Sequence, residues 1–284
     1  VAPERPRVRL TVRCATAVRR CADERGCGAE VEVQGDRGTR GDGRPFVLLA
    51  SRQQDAVADE EYREFCRFTG LPPERLRRIR LEREPIPDLD LDEIAGIVVG
   101  GSPFTSSDPE ESKSDVQRRV EREIGDLLVE VCARDVPFLG ACYGVGTLGV
   151  HLGGVVDTTY GEPAGAVEIT LTPEGVADPL LAGMPPVFEA YVGHKEALRE
   201  APPGSVLLAS SPTAPVQMLR FGSNVYATQF HPELDAEGIA SRLIAYRYEG
   251  YFDPAEVEEV LERVRSAHVV HPGRVLRRFA EIYG

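Results

Sequence analysis

No uninterrupted apolar run in this chain approaches the ~20 residues a helix needs to cross a bilayer, so a helical membrane protein is not expected. Cysteine is sparse. Six in 284 residues are too few for a disulfide-stapled scaffold. Positive charge is also short, with 33 Lys and Arg against 46 Asp and Glu and a net charge of −13. Neutralising phosphates needs a basic face, so a general nucleic-acid binder is not expected either. No G-x-x-x-x-G-K-[ST] phosphate loop occurs anywhere. What is present can bury a core: 42% of residues are hydrophobic, which excludes wholesale disorder.

Residues 1–44 are a different kind of sequence. They hold ten Arg and seven acids and no Phe, Tyr, Trp, Ile or Met. The run Gly35 to Arg44 alternates Gly with charge and should not fold. There is no apolar segment typical of a secretory leader, and Asp23, Glu24, Glu30 and Glu32 argue against an organelle transit peptide. Cys14, Cys21 and Cys27 lie here without a C-x2-C pair, and no His precedes His151, so no metal site is expected. The segment is expected to be a disordered or non-native extension.

From Pro45 onward strands and helices alternate. Phe46 to Ala50 is a short apolar run suited to a strand buried on both faces. Asp55 to Phe68 reads as a helix stopped by Gly70 and Pro72. Strands are expected at 76–81, 94–99 and 136–140, with a long amphipathic helix over 114–134 and a helix over 144–152. The second half is richer in strands, expected at 167–171, 187–191, 206–209, 216–221 and 224–230. Helices follow at 236–248, 254–268 and 273–283. Alternation of this kind predicts an α/β fold, a mostly parallel sheet flanked by helices, with ligands at the carboxyl ends of strands.

Gly140-Ala141-Cys142-Tyr143-Gly144 follows a buried strand and opens a helix. It is the nucleophile-elbow pattern with Cys in place of Ser. Small flanking residues let strand and helix cross closely, and a helix N-terminus favours a thiolate. The Tyr143 N–H is aimed toward a developing oxyanion. A structural cysteine at a strand end is the alternative, as it is for Cys66 and Cys132 inside helices. A thiol nucleophile needs a base, and a base needs an orienting group. His231, two residues before Glu233 across Pro232, supplies both, although a surface turn would look the same. Of the other histidines, His268 and His271 are expected in a solvent-facing tail and His151 on a packing or surface position.

Three motifs in order, Gly100-Gly101-Ser102-Pro103, Gly140 to Gly144 and Gln229-Phe230-His231-Pro232-Glu233, resemble class I glutamine amidotransferases. The likeness is strongest to the amidotransferase portion of GMP synthase and its stand-alone relatives, and it covers about residues 45–250. It implies a flavodoxin-like domain there, with 251–284 as a C-terminal helical extension. It implies a triad of Cys142, His231 and Glu233 that cleaves the glutamine side-chain amide through a γ-glutamyl thioester. It also implies an oxyanion hole from the N–H groups of Gly101 and Tyr143. Gly100 and His194 become candidate substrate-binding residues, and no metal or other cofactor is called for.

Two departures bear on the substrate. Many relatives have Gln four residues after the nucleophile, where this chain has Gly146. The loop Gly193-His194-Lys195-Glu196 stands where Ser-His-Gly-Asp is usual. No ATP-cleaving domain accompanies these motifs in the sequence, so ammonia is expected to pass to an acceptor or a separate synthetase subunit. Glutamine or a related γ-glutamyl amide is the expected partner, with no nucleic acid and no membrane. A thiol hydrolase of γ-glutamyl or other small amides is one alternative, and a non-catalytic binding module is another. A thiol that must stay reduced points to the cytoplasm.

Overall fold

Alternating side chains of a single strand explain the layers. In β1 (Phe46–Ala50), Phe46, Leu48 and Ala50 join one apolar cluster, while Val47 and Leu49 join another on the opposite face. All five are buried, so this strand is central and its sequence is apolar throughout. The chain folds as shown by a computed structural model that describes residues 43–284. The expectations for the extension, with Cys14, Cys21 and Cys27, fall on residues 1–42 and lie outside the described residues.

After β1 come α1 (Asp55–Thr69), β2 (Leu76–Arg80), β3 (Gly96–Val99), α2 (Asp115–Arg134), β4 (Phe138–Ala141) and α3 (Tyr143–His151). β5 (Val156–Asp157), β6 (Glu162–Leu171), α4 (Pro173–Ala177), β7 (Val187–His194), β8 (Ala197–Leu198) and β9 (Ser205–Ser210) follow. The chain closes with β10 (Met218–Phe221), β11 (Val225–Thr228), α5 (Ala236–Ala245), α6 (Val257–Ser266) and α7 (Gly273–Tyr283). The main sheet has the order β2-β1-β3-β4-β11-β10-β9-β6-β7. Its first five strands are parallel neighbours, and β10, β9, β6 and β7 continue it antiparallel. β5 and β8 pair separately. Among the described residues, no helix is long and apolar enough to cross a membrane.

Local chemistry sets the helix ends. Gly70 closes α1 in the left-handed conformation, and its N–H donates to the Cys66 carbonyl. Ser114 Oγ caps α2 by accepting the Gln117 N–H. Asp235 caps α5 by accepting from Gly238. α1 and α7 cover one face of the sheet, with Phe65, Val275, Leu276 and Phe279 in the same cluster as Phe46. α2 and α3 cover the other, through Val120, Ile124, Leu128, Val145 and Leu148. α5 and α6 form a third cluster around Tyr191, whose hydroxyl donates to the Val264 carbonyl.

Several bounds differ from the sequence reading. The strand expected to 230 ends at Thr228, because Thr228 Oγ1 turns to donate to the Phe230 carbonyl and the Gln229 N–H goes to Gln217. The helix expected to 248 stops at Ala245. The strands expected at 167–171 and 187–191 are longer, since they pair with each other from Glu162–His194 to Thr170–Val187.

Candidate active site

The carboxyl ends of four adjacent parallel strands deliver the site. β1 leads to Arg52, β3 to Gly101 and Ser102, β4 to Cys142, and β11 to His231. Arg52, Ser102, Cys142 and His231 line one cleft, together with Tyr251 and Phe252 from the segment after α5.

Cys142 occupies a strained turn, with φ 53° and ψ −89°. Among non-glycine described residues, only Asp135 shares a positive φ. Such backbone costs about 1–3 kcal/mol and persists where the surroundings hold it. Here the Cys142 N–H donates to the Thr228 carbonyl at 2.7 Å, and its own carbonyl accepts from Val145 at 3.0 Å. A Cβ on Gly140 would stand 2.8 Å from the Gly144 backbone, so that crossing of β4 and α3 requires glycine. α3 begins at the next residue, placing its N-terminus against the sulfur.

The His231 backbone N–H is fixed to the Tyr191 carbonyl on β7 at 2.9 Å. Its Nδ1 meets Glu233 Oε1 at 2.8 Å, which leaves Nε2 as the ring nitrogen open to the cleft that Cys142 also lines. Burial acts to lower the imidazole pKa. The Glu233 carboxylate, then the Cys142 sulfur, outweigh this and raise it to about 9. Burial likewise acts to raise the Glu233 carboxyl, but His231, and behind it Arg242, hold it at about 2. The pair is therefore an imidazolium and a carboxylate near neutral pH. Gln229 Nε2 adds a weak donor 4.0 Å from the sulfur.

The N–H groups of Gly101 and Tyr143 find no hydrogen-bond acceptor among the described residues. A Cβ on Gly101 would lie 2.5 Å from Arg52 Nη2 and 2.9 Å from His231 Cε1, so only glycine allows both side chains this close. Gly100 instead packs against the buried Glu61 carboxylate, 3.2 Å from where its Cβ would be. The His194 ring is engaged on both nitrogens, by Glu162 Oε2 at 2.7 Å and by the Glu196 carbonyl at 2.8 Å. Its neighbour Gly193 is the residue that lines the cleft. Cys66 and Cys132 lie partly buried in α1 and α2, and burial pushes both thiols up, Cys132 to about 11. His268 is exposed and His151 and His271 are half-buried.

The two departures meet in space. A Cβ on Gly146 would stand 3.0 Å from Glu196 Oε1 and 3.2 Å from Ser106 Oγ. Glu196 in turn accepts the N–H groups of Ser106 at 2.8 Å and Ser107 at 2.6 Å. The carboxylate thus ties the loop after β3 to the turn after β7, and a long side chain at 146 would displace it.

Sequence reasoning missed the charges behind His231 and Glu233. Arg242 Nη1 lies 3.1 Å from Glu233 Oε1 and 3.4 Å from Glu61 Oε1, and Nη2 lies 2.8 Å from Glu64 Oε2. Arg52 Nε donates to Glu61 Oε1 at 3.0 Å. The signal was available. Glu61 shares the buried stripe of α1 with Val57, Ala58 and Phe65, and Arg242 that of α5 with Ile239 and Leu243. Charges at core-facing positions need partners.

With this arrangement in hand, the comparisons with known proteins decide the family. The model of the glutamine amidotransferase class-I family matches residues 75–247. The chain belongs to the class I glutamine amidotransferases. Among curated relatives, the glutamine-hydrolysing GMP synthase of Burkholderia cenocepacia strain HI2424 is 33% identical over 126 residues, 42% of this chain and 22% of that protein. The glutamine-hydrolysing GMP synthase of Burkholderia mallei strain SAVP1 is 30% identical over 145 residues, 49% of this chain and 24% of that protein. The aligned part is thus under a quarter of the length of these amidotransferase relatives. A glutamine amidotransferase from Thermotoga maritima has the same fold at TM-score 0.63 and 19% identity, covering 84% of this chain and 96% of that one. One from Methylobacillus flagellatus matches at TM-score 0.64 and 18% identity, over 84% and 92%. These establish the α/β architecture with its mostly parallel sheet.

Proposed function

We propose that this chain hydrolyses the side-chain amide of glutamine, with Cys142 as nucleophile, His231 as its acid and base, and Glu233 as the group that orients His231. The observation that carries the reading is the Glu233–His231 contact of 2.8 Å on a ring that lines the same cleft as Cys142. The sulfur attacks the amide carbon, and the oxyanion that develops accepts from Gly101 and Tyr143 N–H, which have no competing acceptor among the described residues. His231 passes its proton to the departing ammonia. Water, with its proton taken by His231, then cleaves the γ-glutamyl thioester and frees glutamate and the sulfur. Ammonia passes to an acceptor or to a separate synthetase subunit.

Residues 45–250 form the catalytic domain in this reading. The C-terminal helical extension, 251–284, packs α7 against it, with Phe279 in the same cluster as Phe46. The test is glutamate release from glutamine by the purified chain, alone and with candidate synthetase partners. Turnover should fall at least about a thousandfold in Cys142→Ser. Glutamate release that survives this substitution unchanged would sink the assignment. A second reading, hydrolysis of other γ-glutamyl amides, is favoured by one feature: Glu196 and Ser106 occupy the space beside Gly146 where relatives place Gln.

A further inference from the structure

Arg52 has an unused guanidinium fork inside the candidate active site. It is only 5% exposed. Nε is anchored on Glu61 at 3.0 Å, and the guanidinium carbon lies 5.5 Å over the Tyr246 ring. Neither Nη finds a hydrogen-bond acceptor among the described residues, and Arg52 lines the same cleft as Cys142 and His231. The Nη groups are not sealed in the protein but open onto this cleft, where a bound anion could meet them.

We propose that Arg52 binds a carboxylate carried on the departing amine, so that the cleft prefers γ-glutamyl derivatives of amino acids to glutamine itself. The inference rests on the triad assigned above and names its substrate class. Its geometry comes from Gly101. The position a Cβ would take there is 2.5 Å from Arg52 Nη2 and 2.9 Å from His231 Cε1, so fork and imidazole converge on one spot. The leaving nitrogen must lie against the imidazole, because it takes its proton from that ring. Any group borne on that nitrogen therefore starts beside Arg52. In a γ-glutamyl amino acid that group ends in a carboxylate, which a planar fork pairs through two parallel hydrogen bonds. Glutamine offers only ammonia there.

The chemistry balances without a further reactant. The Cys142 sulfur bonds to the γ-carbonyl carbon as the carbon–nitrogen bond breaks. The His231 proton goes to the nitrogen, and a free amino acid leaves. Water then adds to the thioester, giving its proton to His231, and the carbon–sulfur bond breaks to yield glutamate.

The experiment compares kcat/KM for γ-glutamylglycine, γ-glutamylglycinamide and glutamine on the full chain. The first two differ only in the terminal carboxylate, so the wild-type protein suffices for the decisive comparison. γ-Glutamylglycine should be favoured over its amide by about ten- to a hundredfold, chiefly through KM. That ratio should shrink to within about threefold in Arg52→Gln. Arg52→Lys keeps a charge beside Glu61 and should retain part of the ratio. Equal kcat/KM for the two peptides in the wild type overturns the inference, and with glutamine still cleaved the triad assignment stands. If glutamine and both peptides are all inert while Cys142 remains open to alkylation, the triad reading falls and takes this inference with it.

Discussion

Arg242 Nη1 stands 3.1 Å from the same Glu233 oxygen that meets the His231 ring. The carboxylate is fully buried and is shared between a permanent cation and a titratable one. Removing the permanent cation leaves Glu233, Glu61 and Glu64 with too little positive charge around them. Arg242→Met should therefore destabilise the protein by about 3–5 kcal/mol, because breaking a buried ion pair strands its partner. Urea unfolding checks this. A midpoint indistinguishable from wild type would mean the network carries no structural weight.

The pH dependence of stability should carry the signature of His231. Its pKa is raised from an ordinary 6.5 to about 9 in the folded state. The folded protein thus holds this proton more tightly than the unfolded chain. The contribution is complete below about pH 6.5 and is lost as pH climbs toward 9. The stability difference between wild type and His231→Gln should shrink over that window, measured by unfolding midpoints at successive pH values. A difference that stays flat from pH 6 to 9 contradicts the charged pair.

Glu64 should behave in the opposite sense to a normal salt-bridged acid. Burial raises its carboxyl pKa to about 7 against the pull of Arg242, with Glu233 and Glu61 adding to the rise. A raised acid loses folding stability as pH passes from its unfolded value near 4.5 up to about 7. Glu64→Gln removes that titration. Its stability relative to wild type should therefore increase between pH 4.5 and 7 and level off above, as thermal melts across that range will record.

The strand–helix crossing under Cys142 leaves no room for a methyl group. Gly140→Ala would bring a Cβ to 2.8 Å from Gly144 backbone atoms, which cannot swing aside as a flexible side chain can. Overpacking of this kind costs about 1–3 kcal/mol. Reactivity of Cys142 toward a small alkylating agent should change with it, since the turn that presents the sulfur must shift. Alkylation rate and denaturation midpoint both unchanged would show that the crossing is looser than 2.8 Å implies.

The parts legible in the sequence were those written in consecutive residues. Phe46 to Ala50 reads as a buried strand because five apolar residues in a row leave no polar face. Asp55 onward reads as a helix because its apolar spacing and the Gly70 stop agree. Gly140 to Gly144 reads as an elbow because its glycines bracket the cysteine. The hairpin of β6 and β7 was read too short, since Glu162 and His194 at its far end are polar and only their mutual contact makes them strand. The End of β11 was read too long, since only Thr228 and Gln217 reveal where the chain bends.

Local patterning by itself determined the order of strands and helices and marked Cys142, His231 and Glu233 as candidates, because side-chain period and steric demands of a tight turn act within a few residues. Only the assembled sheet decided that β11 lies beside β4, although paired residues are 87 apart in the chain, and so that His231 and Cys142 line one cleft. It also decided that Arg52, Glu61, Glu64 and Arg242 surround that pair. Coulombic partners are selected by distance in three dimensions, and a linear pattern records a charge on a buried stripe without saying which opposite charge will meet it.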